Sequence, residues 1–186
     1  MLITALVTLV LDLYTKQLAI EHLGRRPTEG YPFGRAIQVI PGFFDLTWAE
    51  NTGGAFSFLH TQPWVIAIVA GIMVVGIVIW AYRLPRSNAV IQLAFGLIIG
   101  GAVGNLIDRM RFRYVVDFLD FYYVSNGQKH AWPTFNVADI AIVCGIGLFM
   151  YLTAFTKLLD PLPVPPGGEA GTPDDQSKTF QSPPST

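Results

Sequence analysis

The sequence has little of what a soluble domain, a disulfide-bonded domain or a nucleic-acid-binding protein needs. Only 13% of its residues are charged, whereas soluble domains usually carry about 25%. The one cysteine, Cys144, excludes an internal disulfide and a multi-cysteine metal site. The net charge is −1, and no Lys/Arg block suggests nucleic acid as a partner. With 52% hydrophobic residues, the composition instead indicates an integral membrane protein.

Four apolar runs approach the roughly 20 residues that a helix needs to cross a hydrocarbon core of roughly 30 Å. We expect membrane spans at residues 2–20, 63–82, 89–107 and 137–155. The first run is not a secretory signal peptide, since it lacks a basic leader and a small-residue cleavage site. A count of Lys and Arg would place both termini outside the cell. Functional arginines and folded loops weaken that rule, so charge alone leaves the orientation open.

The segments between the spans predict a small β-sheet on the membrane surface. In the loop at 24–62, residues 37–48 predict short strands around a Pro41-Gly42 turn, followed by an interfacial helix or a re-entrant loop. The loop at 110–136 opens with β-branched and aromatic residues typical of a strand. The proline-rich tail at 160–186 is expected to be disordered. We therefore predict one membrane domain over 1–159, all-α apart from this sheet.

Polar residues within the spans are candidate functional residues, because charges at bilayer depth are costly and face protein or water. Asp12 and Lys16 stand four residues apart, on one helix face. They are either a neutralising ion pair or supports for a neighbouring site. In the third span, Gly96, Gly100 and Gly104 form a face that allows close helix packing.

Two more polar motifs have an ordinary structural explanation as well as a functional one. Asn51, Gly53 and Gly54 are typical of a turn, or of a backbone that lies close to a substrate. Asn105, Asp108 and Arg109 end the third span, and Asn105 shares a face with Arg109. That face is either a helix end with a snorkelling arginine or a group that orients a nearby carboxylate.

Two aspartates follow strongly apolar segments, and together they suggest a reaction. Asp139, three residues after Asn136, has the spacing of a helix-capping residue. Either Asp117 or Asp120 could be the second carboxylate of a pair, and their spacing alone does not distinguish them. Two carboxylates that share one proton can activate water. No His-Glu-x-x-His is present, no serine in the spans has a Gly-x-Ser setting, and Cys144 has no histidine nearby. These absences favour an aspartic peptidase at the membrane surface.

In order along the chain, four motifs resemble the lipoprotein signal peptidase family, also called signal peptidase II. They are Leu11-Asp-Leu-Tyr-Thr-Lys16, Asn51-Thr-Gly-Gly-Ala-Phe-Ser57, Gly100-Gly-Ala-Val-Gly-Asn-Leu-Ile-Asp-Arg109 with Val115-Val-Asp-Phe118, and Phe135-Asn-Val-Ala-Asp139. Together the four stretches extend over nearly all of the chain except the tail, and the short N-terminus and proline-rich tail depart from the family pattern.

The resemblance implies a bacterial inner-membrane aspartic endopeptidase that cleaves prolipoproteins before a diacylglyceryl-modified cysteine. It implies four spans with both termini cytoplasmic, a site near the extracytoplasmic face, no metal or cofactor, and contact with membrane lipids. We expect a monomer. It implies that Asp117 and Asp139 are catalytic. It also implies supporting or substrate-binding roles for Asp12, Lys16, Asn51, Gly54, Asn105, Asp108, Arg109 and Asn136.

Three other hypotheses remain open from the sequence. One is a general intramembrane aspartic protease that does not require a lipid on its substrate. Another is a proton-coupled transporter with Asp12, Asp108 and Asp139 as relays, although the chain has no inverted repeat. The third is a non-catalytic assembly factor whose aspartates only cap helices and form ion pairs.

Overall fold

The computed structural model describes residues 1–24, 36–53, 63–83 and 88–155. Its four helices are each long and apolar enough to cross a membrane, which confirms the predicted architecture. They are α1 (Leu2–Leu23), α2 (Pro63–Arg83), α3 (Ala89–Phe112) and α4 (Val137–Phe155). The predicted interfacial segment after residue 53 and the proline-rich tail lie outside the described residues.

The predicted sheet is also present, as four antiparallel strands in the order β1-β2-β3-β4. The strands are β1 (Ile37–Ile40), β2 (Phe44–Asn51), β3 (Val115–Ser125) and β4 (Gln128–Ala131). The Pro41-Gly42 turn joins β1 to β2, and Gly42 adopts a φ of 78° that favours glycine. The sheet follows directly from the C-terminal end of α3 and leads into α4.

Helix α3 extends five residues beyond the predicted end of its apolar run. The extension keeps Asp108 and Arg109 inside the helix, where each has polar partners within the protein. At the other end, the side chain of Asn88 accepts hydrogen bonds from the backbone N–H groups of Val90 and Ile91 at 2.9 and 3.2 Å. Hydropathy alone therefore placed the end of this helix too early.

Close packing of α3 against α1 and α4 depends on glycine. A Cβ atom on Gly100 would lie 2.5 Å from the carbonyl oxygen of Ala5 in α1, and one on Gly96 would lie 2.8 Å from that of Met1. On the next face, a Cβ on Gly101 would lie 2.5 Å from the carbonyl oxygen of Ala138 in α4. The predicted small-residue face is thus the surface against which α1 packs. The close packing brings the polar residues of α1, α3 and α4 together.

The lipid-facing surface of the helices is apolar, as a hydrocarbon environment requires. Ile72 of α2 is 68% exposed and Val143 of α4 is 68% exposed. At the end of the bundle away from the sheet, the rings of Trp80, Phe95 and Phe149 pack edge to face with centroids 5.2–5.4 Å apart. This aromatic cluster joins α2, α3 and α4.

A β-bulge in β2 determines which side chains share a face of the sheet. Asp45 pairs with Asp120, but further along Ala49 pairs with Asp117, so β2 has one extra residue between Leu46 and Ala49. Side chains alternate along a strand, and an extra residue reverses the faces beyond it. Asn51 therefore lies on the same face as Asp117. With a regular strand it would lie on the opposite face.

Candidate active site

Asp117 and Asp139 are bridged by one buried asparagine. Asp117 lies in β3 and is 1% exposed, and Asp139 lies in the first turn of α4. The side-chain Nδ2 of Asn136 donates to Asp117 Oδ1 at 2.7 Å, and the backbone N–H of Asn136 donates to Asp139 Oδ2 at 3.2 Å. Asn136 itself is fully buried. The fold thus brings together the two aspartates that the resemblance pairs.

Asn136 and Asp139 also form the helix cap that their spacing predicts. The N–H of Asp139 donates to Asn136 Oδ1 at 3.0 Å, while Asp139 Oδ2 accepts from the N–H of Asn136. This reciprocal pair satisfies two N–H groups at the start of α4. The capping role and the functional role are therefore carried by the same side chains.

Asn105 in α3 holds the second oxygen of Asp139. Its Nδ2 donates to Asp139 Oδ1 at 2.8 Å, and its Oδ1 accepts from Lys16 Nζ at 2.9 Å and from Asn136 Nδ2 at 3.2 Å. Because the ammonium of Lys16 can only donate, Asn105 must direct its oxygen to Lys16 and its NH2 group to Asp139. The orientation of the amide is thereby determined.

Lys16 is the centre of a buried ion cluster. Its ammonium is 2.8 Å from Asp12 Oδ2 and 3.0 Å from Asp108 Oδ2, and all three side chains are at most 2% exposed. Asp12 Oδ1 accepts the backbone N–H of Ala138 at 2.9 Å, and Asp108 Oδ2 accepts that of Val116 at 3.1 Å. Each carboxylate therefore holds the residue immediately before one of the paired aspartates.

Asn51 supplies the other contact to Asp117. Its Nδ2 donates to Asp117 Oδ2 at 2.9 Å, and its Oδ1 accepts the backbone N–H of Gly53 at 2.9 Å. Gly53 has a φ of 92°, which favours glycine. Gly54, which the resemblance also implicates, lies outside the described residues.

Arg109 completes the polar cluster from α3. Its Nη1 donates to the backbone oxygen of Asn105 at 3.2 Å, and its positive charge acts on Asp139, Asp117 and Asp108. Since Asn105 is one turn earlier on the same helix face, the predicted face-sharing is confirmed. The guanidinium partly offsets the negative charge of the paired carboxylates.

The environment of Asp117 favours its protonated form. Burial in a poorly solvated site and the negative charge of Asp139 raise the pKa of Asp117 to about 7, although hydrogen bonds from Asn51 and Asn136 act in the opposite direction. A raised carboxyl pKa keeps a proton available at neutral pH. The site can therefore hold one proton donor beside a second carboxylate.

Asp120 belongs to a different cluster, on the opposite face of β3. It accepts a hydrogen bond from Lys129 Nζ at 2.7 Å, and Lys129 also lies 3.7 Å from Asp45 and 3.9 Å from the centre of the Tyr122 ring. Tyr122 in turn donates to Asp45 Oδ1 at 3.1 Å. Burial lowers the pKa of Lys129, but the hydrogen bond and charge of Asp120 outweigh it and raise that pKa.

A largely apolar cavity of about 470 Å³ opens beside Asp139. We call it the dyad cavity, and its lining is Trp132, Pro133, Thr134, Phe135, Asp139, Ile140, Val143 and Cys144. Val143 and Cys144 are exposed on the lipid-facing side of α4. Asp117 is not among the lining residues and is linked to Asp139 through Asn136. An apolar group could therefore reach Asp139 from the membrane.

Some contacts in the site have no signal in the sequence. The N–H groups of Val116 and Ala138 are backbone donors, so no residue type marks them. Val116 also accepts a hydrogen bond from Asn136 Nδ2 at 3.3 Å.

Within the four described ranges, no three His, Cys, Asp or Glu residues are placed to hold a metal ion.

The fold and the site define a multi-pass membrane protein with one buried and one half-buried carboxylate, bridged by an asparagine, at one end of a four-helix bundle. A family model described as signal peptidase (SPase) II matches residues 4–155, which is most of the chain. The chain therefore belongs to the signal peptidase II family and is a peptidase of the bacterial membrane.

Individual relatives agree with this membership. The lipoprotein signal peptidase of Symbiobacterium thermophilum is 38% identical over 152 residues, covering 81% of this chain and 92% of the relative. That of Oleidesulfovibrio alaskensis is 46% identical over 149 residues, covering 77% and 86%. Two solved structures of bacterial membrane enzymes match with a TM-score of 0.65 and 27% identity, and cover 82% and 86% of this chain and 85% and 92% of their own.

We expect Lys16→Met to destabilise the protein strongly. Removing the ammonium leaves two carboxylates, Asp12 and Asp108, buried without a counter-charge, at a cost of about 3–5 kcal/mol. The melting temperature of the purified variant in detergent should fall well below that of Gln17→Met. Gln17 is a matched control, since it is exposed and its side chain donates to Glu21 at the helix surface. Equal melting temperatures would show that the ion cluster contributes no stability.

Proposed function

We propose that this protein removes signal peptides from prolipoproteins by hydrolysing the bond before a diacylglyceryl-modified cysteine, with Asp117 and Asp139 as an aspartic dyad. The observation that carries the proposal is the bridge through Asn136, which holds both carboxylates in one site. The names of the relatives supply the substrate class, since they are lipoprotein signal peptidases.

In the first step, Asp139 acts as the base and Asp117 as the acid. Asp139 lines the dyad cavity and is only half-buried, so water can reach it. It takes a proton from that water as the oxygen attacks the scissile carbonyl carbon. Asp117, whose pKa is raised to about 7 by burial and by Asp139, donates its proton to the carbonyl oxygen. A tetrahedral diol forms without a free hydroxide or oxyanion.

In the second step, the roles reverse. Asp139 gives its proton to the departing amine nitrogen of the lipidated cysteine, and Asp117 takes a proton back from the diol as the carbonyl re-forms. The C–N bond breaks, and the original protonation of the pair is restored.

The position of the dyad at the sheet end of the bundle suits a lipid-anchored substrate. We propose that this end faces outward from the cytoplasm, that both termini are cytoplasmic, and that the enzyme works as a monomer. The sulfur of the substrate cysteine is three bonds from the scissile nitrogen. A diacylglyceryl group on that sulfur can therefore enter the dyad cavity from the membrane while the peptide bond lies at Asp139.

The ion cluster argues against a proton-relay transporter. Asp12 and Asp108 each form an ion pair with Lys16 and each accept a backbone N–H group, so neither is free to pass a proton along a path. A non-catalytic assembly factor would not need Asp117 to remain protonated near neutral pH. A general intramembrane protease differs from the proposed enzyme in that its substrate does not need a lipid.

We predict that Asp117→Asn and Asp139→Asn each abolish cleavage of a lipidated precursor while the protein stays folded. Asparagine fits both positions but neither takes nor donates a proton in this step. Asp120→Asn is the matched control and should retain most activity, because Asp120 contacts Lys129 on the other face of the strand. Cleavage would be followed by release of the signal peptide in detergent. An active Asp117→Asn beside an inactive Asp120→Asn would refute the dyad assignment.

We predict that kcat/KM falls as the pH rises through about 7, the value to which burial and Asp139 raise the pKa of Asp117. The free enzyme needs protonated Asp117, and this proton is lost on the alkaline side. Asn51→Ala should move the midpoint of this fall to higher pH, because the Asn51 hydrogen bond lowers the Asp117 pKa. A midpoint that stays in place or moves to lower pH in that variant would contradict the role of Asp117 as the acid.

We predict that an unlipidated precursor is a very poor substrate. Burial of each acyl methylene contributes about 0.8 kcal/mol, so lipid contacts can exceed those of a few side chains. Turnover of lipidated and unlipidated forms of one precursor would be compared in the same micelles. Equal turnover would identify a general intramembrane protease.

The same comparison can locate the lipid. Val143→Trp should reduce turnover of the lipidated form by filling the dyad cavity. Met150→Trp is the matched control, because Met150 is similarly exposed, two turns further along α4, and does not line the cavity. If both variants behave alike, the lipid does not occupy this cavity.

A further inference from the structure

A second cavity lies between α2 and α3, and it shares Arg109 with the candidate active site. It has a volume of about 310 Å³ and lies between the first turns of α2 and the last turn of α3. We call it the α2–α3 cavity, and its lining is Trp64, Ala67, Ile68, Arg109, Met110 and Arg113. Two of the six residues are arginines and none is acidic. The cavity therefore favours an anion.

The conformation of Arg113 is an independent sign that this charge matters. Arg113 ends α3 in the left-handed region, with φ 71° and ψ 7°, and its N–H donates to the carbonyl oxygen of Arg109. Glycine is the usual residue at such a position, since it adopts this conformation without steric cost. The Arg113 side chain forms no ion pair within the part of the chain that the structure describes. Arg113 is exposed, so its guanidinium can bind an anion.

The position of the cavity identifies the source of the anion. Trp64 is the second residue of α2 and Arg113 follows the last residue of α3, so both lie where the spans leave the hydrocarbon core. Tryptophan and arginine are favoured at that depth. Ala67, Ile68 and Met110 form an apolar wall next to the arginines, and Ile68 and Met110 are more than half exposed on the bundle surface. A group with both a phosphate and an acyl chain fits this lining.

We propose that the α2–α3 cavity binds an anionic phospholipid of the surrounding membrane, with its phosphate at Arg113 and Arg109 and an acyl chain along Ala67 and Ile68. Basic pockets between membrane helices recognise lipid head groups in this way, and guanidinium groups pair well with phosphate. Because the charge of Arg109 also acts on Asp139 and Asp117, the lipid phosphate would share this arginine with the dyad.

The test measures lipid binding to the full chain in neutral detergent, so its readout does not depend on cleavage. Thermal melting would be followed while dioctanoyl phosphatidylglycerol, dioctanoyl phosphatidylcholine or inorganic phosphate is added. We expect phosphatidylglycerol to raise the melting temperature at the lowest concentration and inorganic phosphate to have no effect. Equal effects of the two lipids, or an equal effect of inorganic phosphate, would overturn the assignment.

Two variants and one control localise the site. Arg113→Gln should raise the half-saturating concentration of phosphatidylglycerol about tenfold, as the loss of a charge-assisted contact implies. Ala67→Phe should weaken binding by filling the cavity without a change of charge, and it tests the site even if Arg113→Gln does not fold. Arg111→Gln is the control, since Arg111 packs over Phe112 outside the cavity. Equal weakening by Arg111→Gln and Arg113→Gln, or unaltered binding in Ala67→Phe, would refute the proposal.

Discussion

The buried ammonium of Lys16 is the interaction on which the arrangement of the site depends. It forms ion pairs with Asp12 and Asp108 inside the bundle, and each of these carboxylates accepts a backbone N–H next to one member of the dyad. It also orients the amide of Asn105, which in turn holds Asp139. One cation on α1 therefore links the strand that carries Asp117 to the helix that carries Asp139. This link explains why charges are tolerated at a depth where they are otherwise costly.

Local helix chemistry and the proposed catalytic chemistry are combined at the start of α4. Asn136 caps the helix and bridges the two carboxylates, and Asp139 lies in the first turn, where the helix dipole favours negative charge. Asp117 is buried on strand β3, not in the first turn of a helix. Burial together with the charge of Asp139 raises its pKa. The two aspartates are therefore chemically different although they share a bridge. That difference is what an acid–base pair requires.

The sequence was sufficient for the spans and the sheet, but not for the geometry of the candidate site. Hydropathy found four helices, and spacing found the Asn136–Asp139 cap and the α1-facing glycines of α3. The bulge that brings Asn51 to the face of Asp117 has no residue signature, because it depends on strand register. Spacing alone did not distinguish Asp117 from Asp120, and the family resemblance favoured Asp117; the fold places the two side chains on opposite faces of β3. The charge count left the orientation of the chain open.

The most direct test of the account is whether Asp117 and Asp139 titrate as one pair. Infrared difference spectra of the wild-type protein against Asp117→Asn, recorded across neutral pH, would report the protonated carboxyl of Asp117. The account predicts that this signal is lost with a midpoint near 7, as the raised pKa of Asp117 requires. In an Asp139→Asn background the midpoint should move to lower pH, because the neighbouring negative charge is gone. An unchanged midpoint would mean that the two carboxylates do not interact, and would contradict the shared-proton mechanism.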